Sequence, residues 1–160
     1  MADSDRKDTE RDETEQERLD RNLEQLLGEL RVALPGVQVL FAFLLVVPFN
    51  QRFADITSFQ QTVYFVTLLC ATASAASLIA PTAHHRIEFR EQDKERIVFG
   101  GNRLAIVGLA LLATAMTGAI TLITDFLYSS TTTTVAAALV ALMFATLWYA
   151  IPLRRLAQDR

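Results

Sequence analysis

The sequence predicts an all-α fold. It reads as an integral membrane four-helix antiparallel bundle, with an N-terminal amphipathic helix and a disordered acidic tail ahead of it. Three observations predict this. The chain is 51% hydrophobic over 160 residues, yet 21% of it is charged. Those charges are segregated: residues 1–31 hold 17 of the 33, and four long stretches hold none. The mean hydropathy is positive, at +0.26. A soluble domain spreads its charges over its whole surface, whereas a membrane protein confines them to loops and termini.

Residues 1–18 come first. They contain no aromatic and no branched aliphatic side chain. Such a segment cannot bury enough apolar surface to offset its ordering entropy, so it reads as a disordered charged tail. It is not a signal peptide, since its start is acidic and the first apolar run begins some thirty residues in.

The membrane domain follows, over residues 19–160. An amphipathic helix is expected at about 19–34. Leu19, Leu23, Leu26, Leu27, Leu30 and Leu34 recur at helical spacing, opposite Asp20, Arg21, Glu24, Gln25, Glu29 and Arg31. Its acids outnumber its bases, so packing on protein is favoured over lying on lipid. Leu19, Leu23, Leu26, Leu27 and Leu30 form the candidate interaction surface, for a partner or for the chain's own central loop. There Arg86, Arg90, Lys94 and Arg96 would face Glu24 and Glu29. Pro35-Gly36 should bend the chain at Leu34.

Spans are expected at about 32–53, 60–82, 103–126 and 134–153. The charge-free stretches beneath them are Val32 to Phe49, Ile56 to His85, Leu104 to Thr124 and Phe126 to Leu153. Each is long enough, at 1.5 Å per residue, to approach a hydrocarbon core of about 30 Å. The run Thr131 to Thr134 reads as a turn between spans three and four. None of the stretches alternates as a membrane barrel strand would.

Orientation follows from the cations. Of the 15 Lys/Arg, 14 fall in the N-terminal segment, the central loop and the C-terminus, and one, Arg52, in an outer loop. Both termini should therefore be cytoplasmic in a multi-pass protein of the cytoplasmic membrane.

Small-residue stripes predict close helix packing: Cys70, Ser74 and Ser77, then Ala110, Thr114 and Gly118, then Ala137, Ala141 and Ala145. The threonine row Thr114, Thr117, Thr121, Thr124 reads as hydroxyls bonded back to their own helix. Phe49, Phe53, Phe59, Tyr64, Phe126, Tyr128, Trp148 and Tyr149 fit interfacial belts.

No ionisable side chain lies at the centre of a span, which disfavours pumps and most carriers. Catalytic, cofactor-binding and phosphate-binding motifs are absent. The sequence predicts no enzyme and no cofactor. Two histidines and one cysteine fall short of a metal site, and a net charge of −3 argues against nucleic acid. The remaining interfacial or polar candidates are Gln38, beside the Pro-Gly step, His84, His85 and Arg86 at the end of span two, and Asn102 and Arg103 at the start of span three. Gly100-Gly101 marks flexibility or close packing at that start. The partners expected are the lipid bilayer and a protein partner or a second copy.

Several runs carry a resemblance: Glu29-Leu30-Arg31-Val32-Ala33-Leu34-Pro35-Gly36-Val37-Gln38, Val63-Tyr64-Phe65-Val66-Thr67, Ala80-Pro81 with His85-Arg86, and Asn102-Arg103-Leu104-Ala105. From about Leu23 to Asp125 the chain resembles a family of small four-span bacterial membrane proteins of high-GC Gram-positive type, a domain of unknown function. The resemblance implies a four-span inner-membrane protein. It implies no activity, ligand or catalytic residue. An interaction, regulatory or accessory role is the leading expectation, and an oligomeric channel or small transporter the alternative.

Overall fold

The computed structural model describes residues 15–87 and 94–158. Residues 1–14 of the tail expected at 1–18, and the central-loop segment 88–93 with Arg90, lie outside the described residues, while residues 15–18 are the first turn of a helix and not a disordered tail. Five α-helices account for most of the rest: α1 Glu15–Val46, α2 Ser58–Ile87, α3 Lys94–Leu127, α4 Ser130–Phe144 and α5 Ile151–Gln158. Two 3₁₀ turns, Val47–Phe49 and Gln51–Asp55, join α1 to α2, and a π-helical stretch, Ala145–Ala150, joins α4 to α5. Four stretches are long and apolar enough to cross a membrane: Glu24–Phe49, Ser58–Ala83, Gly100–Leu127 and Ser130–Arg154.

α1 is continuous through Pro35, so the bend expected at Leu34 is absent. The reason lies in its buried stripe. Leu26, Leu30, Val37 and Leu44 are buried, and from Leu30 on they repeat every seven residues. A break at Pro35 would throw the leucines out of register with the span. Pro35 sits on the exposed side, and a lost helix hydrogen bond is tolerated in membrane helices. The amphipathic helix and the first span are thus one rod. It ends at Val46, and the 3₁₀ turns Val47–Phe49 and Gln51–Asp55 follow.

α2 and α3 form the central pair. On α2 the buried positions are Tyr64, Thr67, Ala71, Ser74, Leu78 and Pro81, a spacing of three and four in strict alternation. On α3 they include Gly101, Ala105, Gly108, Leu112 and Ala115, with the same alternation. That alternation is the spacing that left-handed helix pairs use for their shared seam. Glycine makes the approach possible. A Cβ on Gly108 would come within 2.7 Å of the Leu78 side chain, and one on Gly101 within 3.0 Å of Leu26 and 3.3 Å of Pro81. Gly101 therefore marks close packing, where α1, α2 and α3 meet.

α1 packs against both helices of this pair. α4 lies along α3 and, among the described residues, its backbone approaches no other span. Only 6% of the fourth span is buried, against 28% of the second. The bundle is a three-helix core with a fourth helix leaning on one side. Thr131–Thr134 forms the first turns of α4 instead of a loop. Hydroxyl side chains suit a helix start, and here Thr133 and Thr134 bond back to Ser129 and Ser130 carbonyls at 3.2 and 2.9 Å.

Candidate functional site

The helix starts at the Arg52 end are built from short polar signals. Asn50 is extended, and its side chain accepts from the Arg52 amide at 3.2 Å, capping the second 3₁₀ turn. Thr57-Ser58-Phe59-Gln60 is a capping box. The Thr57 hydroxyl accepts from the Gln60 amide at 3.2 Å, and the Thr57 amide donates to Gln60 Oε1 at 3.1 Å. Gln60 also donates through Nε2 to Asp125 Oδ2 at 2.9 Å, tying the start of α2 to the end of α3.

Inside the bundle the polar groups are spent on structure. Ser74 donates to the Gly108 carbonyl at 2.7 Å, across the α2–α3 seam. Tyr64 is buried, with its hydroxyl donating to the Leu44 carbonyl of α1 at 3.0 Å and its ring edge-on to Phe53. It belongs to the core, not to the interfacial belt. Trp148 likewise packs inward, edge-on to Phe144, and Tyr149 donates to the Ile106 carbonyl of α3 at 3.2 Å. Thr67, Thr114, Thr117, Thr121 and Thr124 each donate to the carbonyl four residues back, at 2.7–2.9 Å.

The candidate residues separate into groups. Leu26 and Leu30 are buried by the chain's own helices, in one cluster with Val37, Leu78, Ala105 and Leu112. Their cover is the end of α2 and the start of α3. Leu27 is half-buried. Gln38, Asn102 and Arg103 are exposed. The side chains of Leu19, Leu23, His84, His85, Arg86, Lys94 and Arg96 lie outside the described residues, so the pairing foreseen with Glu24 and Glu29 does too. The structure brings Leu26 and Leu30 together and leaves Gln38, Asn102 and Arg103 apart from them.

Sequence reasoning missed a groove of about 520 Å³ in the membrane-facing surface. It lies where α4 fails to reach α2. Its floor is the small-residue face of α3: Ala110, Ala113, Thr114, Thr117 and Gly118. Val63, Val66 and Thr67 of α2 form one wall, and Ala141 and Phe144 of α4 with Ala145 of the π-helical stretch the other. The threonine hydrogens are already given to backbone carbonyls, so these side chains present mainly methyl groups and oxygen lone pairs. The small residues on α3 and α4 were legible. That they would face one shared gap was not. A pocket of about 630 Å³ opens at the opposite corner, between α1 and the end of α3.

The π-helical stretch borders the groove. The Ile151 amide donates to the Thr146 carbonyl, five residues back. Pro152 follows immediately. A proline has no amide to give the carbonyl four residues back and its ring crowds that carbonyl; the wider turn before it relieves both.

The chain matches the model of a family of unknown function, DUF6328, over residues 12–152. The match covers most of its length, and the chain belongs to that family. No curated protein and no solved structure matches it.

Proposed function

We propose that this family member is a non-enzymatic accessory or regulatory subunit of the cytoplasmic membrane. It would act by docking a partner's transmembrane helix between α2 and α4. The observation that carries the reading is the groove itself. In lipid, helices associate through close packing of small residues, without a hydrophobic drive between them. A half-open trough floored by glycine, alanine and threonine is suited to receive one more helix. Among the described residues α4 contacts only α3 of the other spans, which leaves the gap between α4 and α2 uncovered. Leu26 and Leu30 are engaged within the chain, which makes the groove the better docking candidate of the two.

A channel or small transporter is favoured by no specific observation. The threonine hydroxyls are bonded to their own helices, and Gln38 is exposed on the surface of α1. Both termini are proposed to be cytoplasmic, on the distribution of cations.

Affinity capture from native membranes, compared with capture after Gly118→Leu, tests the reading. Leucine at 118 would project against Thr67 and reshape the floor of the groove. A co-purifying membrane protein that is lost with Gly118→Leu, while the variant still inserts, supports docking. Capture unaffected by the variant argues against it, and ion or solute flux in reconstituted vesicles would favour the channel.

A further inference from the structure

We infer that the second cavity, at the Arg52 end of the bundle, holds an acyl chain of a membrane phospholipid, with the phosphate at Arg52. This site is separate from the groove between α2 and α4 and does not depend on it.

The cavity lies where the end of α1 and its 3₁₀ turns meet the end of α3. α1 stops at Val46 and folds into 3₁₀ turns, whereas α3 runs on to Leu127. Ala119 is the smallest side chain of the lining, and about 630 Å³ remains open beside it. That lies within the usual range of about 300–1,000 Å³ for ligand pockets. The walls are apolar: Leu40, Leu44 and Leu122 are at depth, and Phe43 and Ile123 stand toward the bilayer, 70% and 57% exposed. A chain can therefore enter sideways from the lipid.

The polar groups on the lining narrow the ligand. The Tyr64 hydroxyl is committed to the Leu44 carbonyl. Gln60 is committed at both ends, to Thr57 and to Asp125. Asn50 accepts from the Arg52 amide. The positive charge of the lining is Arg52. Its guanidinium lies 5.9 Å from the centre of the Phe126 ring, which holds it over the mouth in a cation–π arrangement. Arginine's planar fork is suited to phosphate oxygens. Asp125 is not part of the lining but is bonded to Gln60, which is, and its carboxylate disfavours a multiply charged head more than a singly charged one. The match is an apolar chain ending in a phosphodiester with one negative charge. Arg52 stands in the turn between two spans, at the depth where a phospholipid in the same leaflet presents that group.

The test is native mass spectrometry of the full chain in detergent, titrated with dioleoyl phosphatidylglycerol and, separately, with dioleoylglycerol, which has no phosphate. Wild type should retain one phosphatidylglycerol in preference to dioleoylglycerol. Ala119→Phe, which fills the cavity, should abolish retention, and Leu139→Phe on the lipid-facing side of α4 should leave it unchanged. Arg52→Gln should weaken phosphatidylglycerol binding about fivefold, from roughly 1 kcal/mol per basic residue at a lipid surface. It should not alter dioleoylglycerol binding. Arg52 is exposed, so this variant decides the matter even if Ala119→Phe does not fold. Equal retention of the two lipids by wild type, or equal phosphatidylglycerol retention by wild type and Arg52→Gln, overturns the proposal.

Discussion

The hydroxyl of Ser74 donates to the carbonyl of Gly108 at 2.7 Å, and both residues are buried. The bond forms only because Gly108 lets α2 and α3 approach so closely. Ser74→Ala should lower stability by about 1 kcal/mol, near the range measured for hydrogen bonds between membrane helices. Gly108→Val should cost more, roughly 1–3 kcal/mol, because its branches would drive into Leu78. Unfolding by titration with a denaturing detergent would read both. A smaller loss for valine than for alanine would contradict the packing described.

The leucine stripe makes a second prediction. Leu30 is 4% exposed and Val32, two residues on, is 82% exposed. Leu30→Ala should destabilise by about 2–5 kcal/mol, and Val32→Ala by well under 1 kcal/mol. Equal losses at the two positions would show that α1 does not pack as one rod against α2 and α3.

The stripe also shows what was legible in the sequence. Four spans and the leucine face followed from charge segregation and helical spacing. The continuity of α1 did not, because Pro35-Gly36 is locally a break signal. Only the seven-residue repeat through Leu30, Val37 and Leu44 reveals that tertiary packing overrides it. Small-residue stripes found by identity alone missed the buried register. Ser74 is in the seam, but Thr114 is exposed and Cys70 half-buried. The buried register is Thr67, Ala71, Ser74, Leu78 and Pro81, and its regular alternation was present in the sequence. The Thr57–Gln60 capping box was equally readable. The groove was not, since no local pattern says that α4 leans on α3 and leaves α2 bare.

Gln60 links two helix ends, so its variants should separate the two roles. Gln60→Ala removes both the cap and the grip on Asp125, for a cost near 1 kcal/mol. Gln60→Glu keeps an acceptor for the Thr57 amide but places a carboxylate against Asp125. It should be no better than alanine at neutral pH. Detergent denaturation of the pair with Asp125→Asn completes the cycle: Gln60→Glu should regain stability in the Asp125→Asn background. No such recovery would mean that the two side chains do not interact.

Topology is open to direct measurement. A reporter active only in the cytoplasm, fused after Arg160, should be active, and the same reporter inserted at Asp55 or Ser130 should be silent. Activity at Asp55 would reverse the orientation drawn from the cations.

The central claim is that the groove between α2 and α4 receives a partner's helix. The most direct measurement is site-specific photocrosslinking in native membranes, with a photoreactive phenylalanine at Val66, Ala141, Leu139 or Phe43 in turn. Val66 and Ala141 line the groove. Leu139 and Phe43 lie outside it and are 62% and 70% exposed. The account predicts one and the same protein adduct from Val66 and Ala141, and none from Leu139 or Phe43. An adduct the size of two copies would identify the partner as the chain itself. No protein adduct from either groove position, or the same adduct from all four, would contradict the account.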